Sequence, residues 1–354
     1  MPAHRISFSW SPKAQGGRSD ATAGLAERLR PCALDRAASA REVALEAAQE
    51  LTTWIGQQPR EWGSRDADRL ACGAELETGW SEWLRHQGWR GAGALLIDAL
   101  RIAFATDEAG QGHGPREALL AELGAWTGEE TSAARASDDR PTVVGRRTTD
   151  PEALVPHALR ELERRDHVLV YGGSETVLAA LCGAQQAGLY PQVTVAAGAP
   201  DHSGKRMARH LANHGLAVRL VWDAAALGAV AEADRIWIGT EAVGSGEFLA
   251  LVGSRLLADE AARLEVPMSV LCTDEVCVPG GELRLPAWAD DEGWGLWSQG
   301  PEGVELDSQP YERVPGGAVN TWITCEGHES LAQLCTRSLR LEPAPPCGPA
   351  HVTA

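Results

Sequence analysis

"HVLVYGGSETVLAALCGAQQAG" (167–188) decides the fold. Val168, Leu169, Val170 and Tyr171 form an unbroken apolar run, and Gly172-Gly173-Ser174 follows at once. A short continuous apolar run closed by glycine reads as a strand buried on both faces. Val177, Leu178 and Leu181 then recur at helical spacing, so the unit reads strand, tight turn, helix. The same unit repeats downstream. Apolar strands are read at "HVLVYG", "QVTVAAG", "AVRLVW", "DRIWIG" and "PMSVLC". Helical stretches are read between them at "SETVLAALCGAQQAG", "SGKRMARHLANHG", "AALGAVAEA" and "GEFLALVGSRLLADEAARLE". Strands alternating with helices predict an α/β domain: a Rossmann-like parallel sheet with helices on both faces.

In such sheets ligands bind outside the carboxyl ends of the strands. Here those ends carry small or polar residues: Gly172-Gly173-Ser174, Gly198, Asp223 and Gly239-Thr240-Glu241. Glycine at a strand-to-helix turn lets backbone approach a ligand, and the free amides of the next helix favour an anion. Ser174 sits where its hydroxyl either caps that helix or meets a ligand. The turn is neither a dinucleotide fingerprint nor a Walker loop, since G-x-G-x-x-G and Gly-Lys-Ser/Thr are both missing.

Ahead of this domain the pattern is helical. Ser39 and Glu42 form a capping box before "REVALEAAQEL". "WSEWLRHQGWRGAGALLIDALRIAFA" reads as two helices broken near Gly88, and "PREALLAELGAWTGEE" as another starting at Pro115. "PEALVPHALRELERR" reads as one helix entering the α/β part. The expected organisation is a loose, disordered 1–35, a helical domain with linker over 36–150, the α/β domain over 151–335, and a disordered tail over 336–354.

Composition narrows the partners. The 354-residue chain carries a net charge of −17. Neutralising phosphates needs a basic face, so nucleic acid is not an expected partner. No apolar run is long enough to span a bilayer, and the N-terminus lacks a secretory apolar core, so a cytoplasmic protein with no membrane partner is expected. The eight cysteines are scattered without metal-ligand spacing and read as buried thiols; no metal or cofactor is expected. Trp54, Trp80 and Trp83 sit in amphipathic stretches and read as core.

The stretch "VAAGAPDHSGKRMARHLANHGLAVRLVWDAAALGAVAEADRIWIGTEAV" resembles the alpha, beta and delta regulatory subunits of translation initiation factor 2B. Methylthioribose-1-phosphate isomerase and ribose-1,5-bisphosphate isomerase are relatives of that family. "HVLVYGGSETVLAAL" is similar to the family's first strand and helix, and "QPYERVPGGAVNTWITCEG" to its C-terminal end. The resemblance spans roughly 165–328 and implies a homodimer, a phosphorylated sugar or nucleotide as ligand, and a possible protein partner.

The resemblance also shows what is missing. The isomerases place a Cys at the end of the first strand, where this chain has Gly172, and an Asn next to it, where it has Gly173. Their Asp at the fourth strand's end becomes Glu241. Ala197 and Ala199 replace a Glu and an Arg or Gln, and Ala250-Leu251-Val252-Gly253-Ser254 replaces Asn-Lys-x-Gly-Thr. Loss of one general acid or base costs roughly 10²–10⁴-fold in rate, so the resemblance implies a binding and regulatory protein on a degenerate sugar-phosphate site. The alternative is an aldose-ketose isomerase with Glu241 as acid/base. The candidate ligand set is Gly172, Gly173, Ser174, Lys205, Asp223, Gly253, Ser254 and Arg90. Several members have a second reading: Asp223 binds a sugar hydroxyl or caps the next helix, Lys205 faces an anion or solvent, and Arg90 points to the sheet or lies on the surface. His202 and His210 read as caps or solvent-facing groups. Cys182 reads as structural. The acidic insert 286–310, with Trp288, Trp294 and Trp297, reads as a packed loop or a partner surface.

Overall fold

The computed structural model describes residues 24–33, 40–59, 61–63, 66–87, 91–106, 114–127, 150–278, 281–285, 296–297 and 301–339. All five predicted strands form: β1 (His167–Tyr171), β2 (Gln192–Ala196), β3 (Ala217–Val221), β4 (Arg235–Ile238) and, after two further strands, β7 (Met268–Leu271). Those two are β5 (Ala242–Val243) and β6 (Glu247–Leu251). They are followed by β8 (Tyr311–Pro315), β9 (Thr321–Thr324) and β10 (Gly327–Glu329). One seven-stranded sheet runs β10-β9-β7-β4-β1-β2-β3, and β5-β6-β8 make a second, smaller sheet. β1 pairs parallel with both β2 and β4, β2 with β3, β4 with β7, and β7 with β9. Only β10 runs antiparallel in the larger sheet.

The unbroken apolar runs are explained by burial on both sides. Leu169 faces a cluster with Ala226, Ala229, Leu257 and Ala261, whereas Val168 and Val170 face Val177, Leu181, Met207 and Leu211. The period-2 alternation of a strand therefore meets helices on each face. Helices α1 (Leu25–Ala33), α2 (Ala40–Gln57), α3 (Asp66–Gln87), α4 (Gly91–Thr106) and α5 (Gly114–Thr127) form the N-terminal layer. They share a separate core in which Trp54, Trp80 and Trp83 are buried. Trp54 also meets Trp62 edge to face, with centroids 5.7 Å apart. In the α/β part follow α6 (Val155–Ala158), α7 (Glu175–Gln186), α8 (Ser203–Asn213), α9 (Asp223–Ala229), α10 (Ser254–Leu264) and α11 (Leu331–Leu339). No helix among the described residues is long and apolar enough to cross a membrane.

The fold departs from the sequence reading in four places. Residues 247–251, read as helix, are β6; they pair antiparallel with β5 and β8 and bury Phe248 and Leu249. A five-residue apolar run between Gly246 and Gly253 has too few turns for periodicity to separate strand from helix. Residues 151–161 are not one helix but a 3₁₀ turn, the short α6 and another 3₁₀ turn. Pro151 and Pro156 each remove a backbone donor, so no long α-helix propagates. The segment read as loose to residue 35 already forms α1 from Leu25, packed on α3 with Leu25 and Leu29 buried. At the other end, α11 carries order to Leu339, past the expected boundary at 335.

One close approach sets the spacing of α8 on the sheet. A Cβ on Gly204 would run into the carbonyl oxygen of Ala196, so only glycine lets the helix start there. Gly204→Ala is expected to destabilise the protein by about 3 kcal/mol through overpacking. Gly228→Ala, on a turn of α9 with open space around it, is expected to stabilise by roughly 0.5–1 kcal/mol through helix propensity. Denaturant midpoints of the two variants, measured together, check both signs.

Candidate functional site

β1 leads to β2 on one side of itself, and β4 lies on its other side. The strand order thus reverses between β1 and β4, the crevice where doubly wound sheets take ligands. A hollow of about 90 Å³ lies there. The turn after β1 supplies Gly173, Ser174, Glu175 and Thr176; the turn after β4 supplies Gly239, Thr240 and Glu241. Thr273 and Glu275 come from the loop after β7, Leu251 and Ser254 from the β6–α10 junction, and Ala92 from the start of α4. Tyr171 and Tyr311 complete the polar lining.

The structure thus brings four of the candidate residues together: Gly173, Ser174, Glu241 and Ser254. Gly172, Lys205, Asp223 and Gly253 lie off the hollow's wall, and Arg90 lies outside the described residues. Lys205 and Asp223 belong to the β2 and β3 ends of the sheet, and each strand is a step of about 4.8 Å from the switch point. Lys205 is exposed, its ammonium 5.8 Å above the Trp222 ring, a cation–π contact at the surface.

Several backbone donors at the strand ends are taken up by the chain's own oxygens. The amide of Gly173 donates to Ser203 Oγ at 3.0 Å. The amides of Gly198 and Ala199 donate to the two carboxylate oxygens of Asp223 at 2.7 and 2.8 Å. The amides of Gly253 and Arg255, at the start of α10, donate to Glu312 Oε1 at 2.7 and 3.0 Å. Asp223 therefore neither caps α9 nor faces the hollow; it ties the loop after β2 to the end of β3. Ser174 acts as an N-cap, accepting from the Val177 amide at 3.4 Å, and its hydroxyl pairs with Thr176 Oγ1 at 2.8 Å. Thr176 in turn donates to the Leu271 carbonyl at 2.8 Å, binding the turn to β7.

Gly172, at φ +72, adopts a conformation that favours glycine, and the space a Cβ would take is filled by the Leu251 side chain. Two departures noted in the sequence are therefore one packing event: a leucine lies where a side chain at 172 would project. Glu175, Glu241 and Glu275 line the hollow, and no Lys, Arg or His stands among the described residues that line it. Among the described residues no group of three His, Cys, Asp or Glu side chains is placed to hold a metal. His202 is exposed at the start of α8 without a side-chain cap. His210 is half-buried, its pKa lowered by burial and by neighbouring His214 and Arg209. Cys182 is buried, and burial pushes its thiol up to about 11, in keeping with a structural role.

Sequence reasoning missed Glu275, Glu175 and Glu312. Glu275 had a signal, since it follows a strand end in the same way as Glu241. Glu312 had none, lying 59 residues from the amide it binds.

Comparison with known proteins extends this picture. Residues 129–276 match the family model described as the initiation factor 2 subunit family. Among solved structures, a translation initiation factor eIF-2B from Pyrococcus horikoshii OT3 is similar at 16% identity, covering 86% of this chain and 96% of that one, with a TM-score of 0.65. The eIF2B-beta2-delta2 complex from Chaetomium thermophilum, a tetramer, gives a chain similar at 16% identity, 88% and 92% coverage and a TM-score of 0.58. The eIF2B beta structure from Chaetomium thermophilum follows at 15% identity, 88% and 87% coverage and 0.55. At these identities the likeness is one of fold. No curated protein matches the sequence.

Tyr171 supplies a pH test of the site. Its hydroxyl donates to the Val252 carbonyl at 3.0 Å, and burial, then Asp223 and Glu312, push its pKa from 10.0 up to about 12. A raised folded-state pKa gives stability that is complete below the unfolded value and is lost as pH rises through the folded one. The protein is therefore expected to lose stability between pH 10 and about 12 in step with this phenol. Tyr171→Phe is expected to flatten that part of the pH–stability profile, checked by alkaline unfolding with phenolate absorbance.

Proposed function

For a chain whose residues 129–276 match the model of the initiation factor 2 subunit family, we propose a regulatory, protein-binding role built on a degenerate sugar-phosphate site. The observation that carries this reading is the internal closure of strand-end donors: Ser203, Asp223 and Glu312 take up the amides of Gly173, Gly198, Ala199, Gly253 and Arg255. The position of Leu251 against Gly172 supports it further, since a thiol-bearing residue at 172 would have to turn the Leu251 methyl aside and adopt a positive φ. A volume of about 90 Å³ is also well below the roughly 300–1,000 Å³ usual for ligand pockets. The role belongs in the cytoplasm, and the protein works as a homodimer, read from the resemblance of the α/β domain to the factor 2B subunits.

The isomerase reading keeps one favourable observation: Glu241 and Ser174 do line one hollow at the switch point. A proton shuttle between adjacent carbons needs a donor as well as an acceptor, and Glu175, Glu275 and the Cys272 thiol line the same hollow as Glu241.

Ribose-1,5-bisphosphate and methylthioribose-1-phosphate are expected to show no turnover above background, and Glu241→Gln is expected to change nothing. Turnover that disappears in Glu241→Gln would replace the regulatory reading with the enzymatic one. Sedimentation of the purified chain checks the dimer: a monomer across the micromolar range would remove it.

A further inference from the structure

The far edge of the larger sheet differs from the rest of the molecule. Among the described residues β3 is hydrogen-bonded to β2 alone, and its outer N–H and C=O groups have no strand partner there. β1, β4 and β7 are almost wholly buried, yet every residue of β3 is exposed or half-buried. Leu220 is 46% exposed, and Trp222, one residue beyond the strand, is 72% exposed. Between His202 and Trp222 the chain carries Lys205, Arg206, Arg209 and Arg219 and no Asp or Glu, within a protein of net charge −17. Arg206 is engaged by Asp201 at 3.1 Å and Arg219 by Glu232 at 2.8 Å. Lys205 and Arg209 are exposed on α8, the helix that packs over β2 and β3, and neither makes an ion pair among the described residues.

We propose that this edge is a docking strip for an acidic, extended segment of another protein, which adds to the sheet as a strand beside β3. Charged residues alone on an edge guard it against pairing. A largely exposed tryptophan and leucine beside them serve instead as apolar anchors. Main-chain hydrogen bonds to β3 supply affinity, apolar side chains of the guest cover Leu220 and Trp222, and its carboxylates meet Lys205 and Arg209. A second copy of this chain fits less well: pairing edge to edge about a two-fold axis sets the basic strip against itself. The inference is independent of the hollow between β1 and β4.

The test uses a fluorescent peptide of repeating Val-Thr-Glu-Thr, which sets Val and Glu on one face of a strand, long enough to span the five residues of β3, titrated into the full chain. Binding is expected to weaken about tenfold in the Lys205→Glu/Arg209→Glu double variant. It is also expected to weaken as NaCl rises from about 0.05 to about 0.3 M, because the charges are exposed. Amide exchange at 217–221 is expected to slow, and a peptide N-methylated at alternate residues is expected to lose binding. Circular dichroism confirms that the variant is folded. No binding, equal binding to the variant, or protection appearing elsewhere would overturn the proposal. So would single-stranded oligothymidylate binding as tightly as the peptide, with N-methylation making no difference, since that describes a polyanion patch and not a strand partner.

Discussion

Carboxylates of the chain itself close the amide pairs at the strand ends, and the arrangement of the site follows from that. Asp223 fastens the loop after β2 to the end of β3, and Glu312 fastens the start of α10 to β8. Each bond joins an ionised acceptor to backbone donors, the stronger class of hydrogen bond. Each also satisfies amides at places where a helix or turn leaves them without backbone partners. The same chemistry that recognises a phosphate is here used between parts of one molecule. A site so closed is preorganised for holding its own loops, and an anion entering it would first have to displace a covalently tethered competitor.

The glycine turn after β1 fits this pattern. Ser174 serves its own helix, Thr176 ties that helix to β7, and the Gly173 amide is taken by Ser203. What remains between β1 and β4 is a small acidic hollow with hydroxyl groups at its wall. The surface that faces outward is instead at the other end of the sheet, where β3 has no neighbour. The polar detail of the fold is thus spent inside at the switch point and left open at the edge.

Most of the α/β domain was legible because strands buried on both faces are largely apolar, and five short apolar-rich runs alternate with helical stretches in the sequence. The exceptions are short. β6 has the composition of a buried strand but only one turn's length to declare its period, and α6 carries Pro156 within its single turn, which no periodicity count registers. The site was legible to the extent that it lies at adjacent strand ends: Ser174, Glu241 and Ser254 meet because their strands are neighbours or feed the same crevice. Lys205 and Asp223 sit at strand ends too, but on the wrong side of the reversal in strand order, which residue types alone do not reveal. Glu312 reaches Gly253 across the smaller sheet, a contact fixed by the pairing of β6 with β8.

The fit of Leu251 against Gly172 couples two positions that lie far apart in the chain. A side chain at 172 would have to turn the Leu251 methyl aside and adopt a positive φ, so a substitution at one residue is felt at the other, and the effects of changing both are not expected to add.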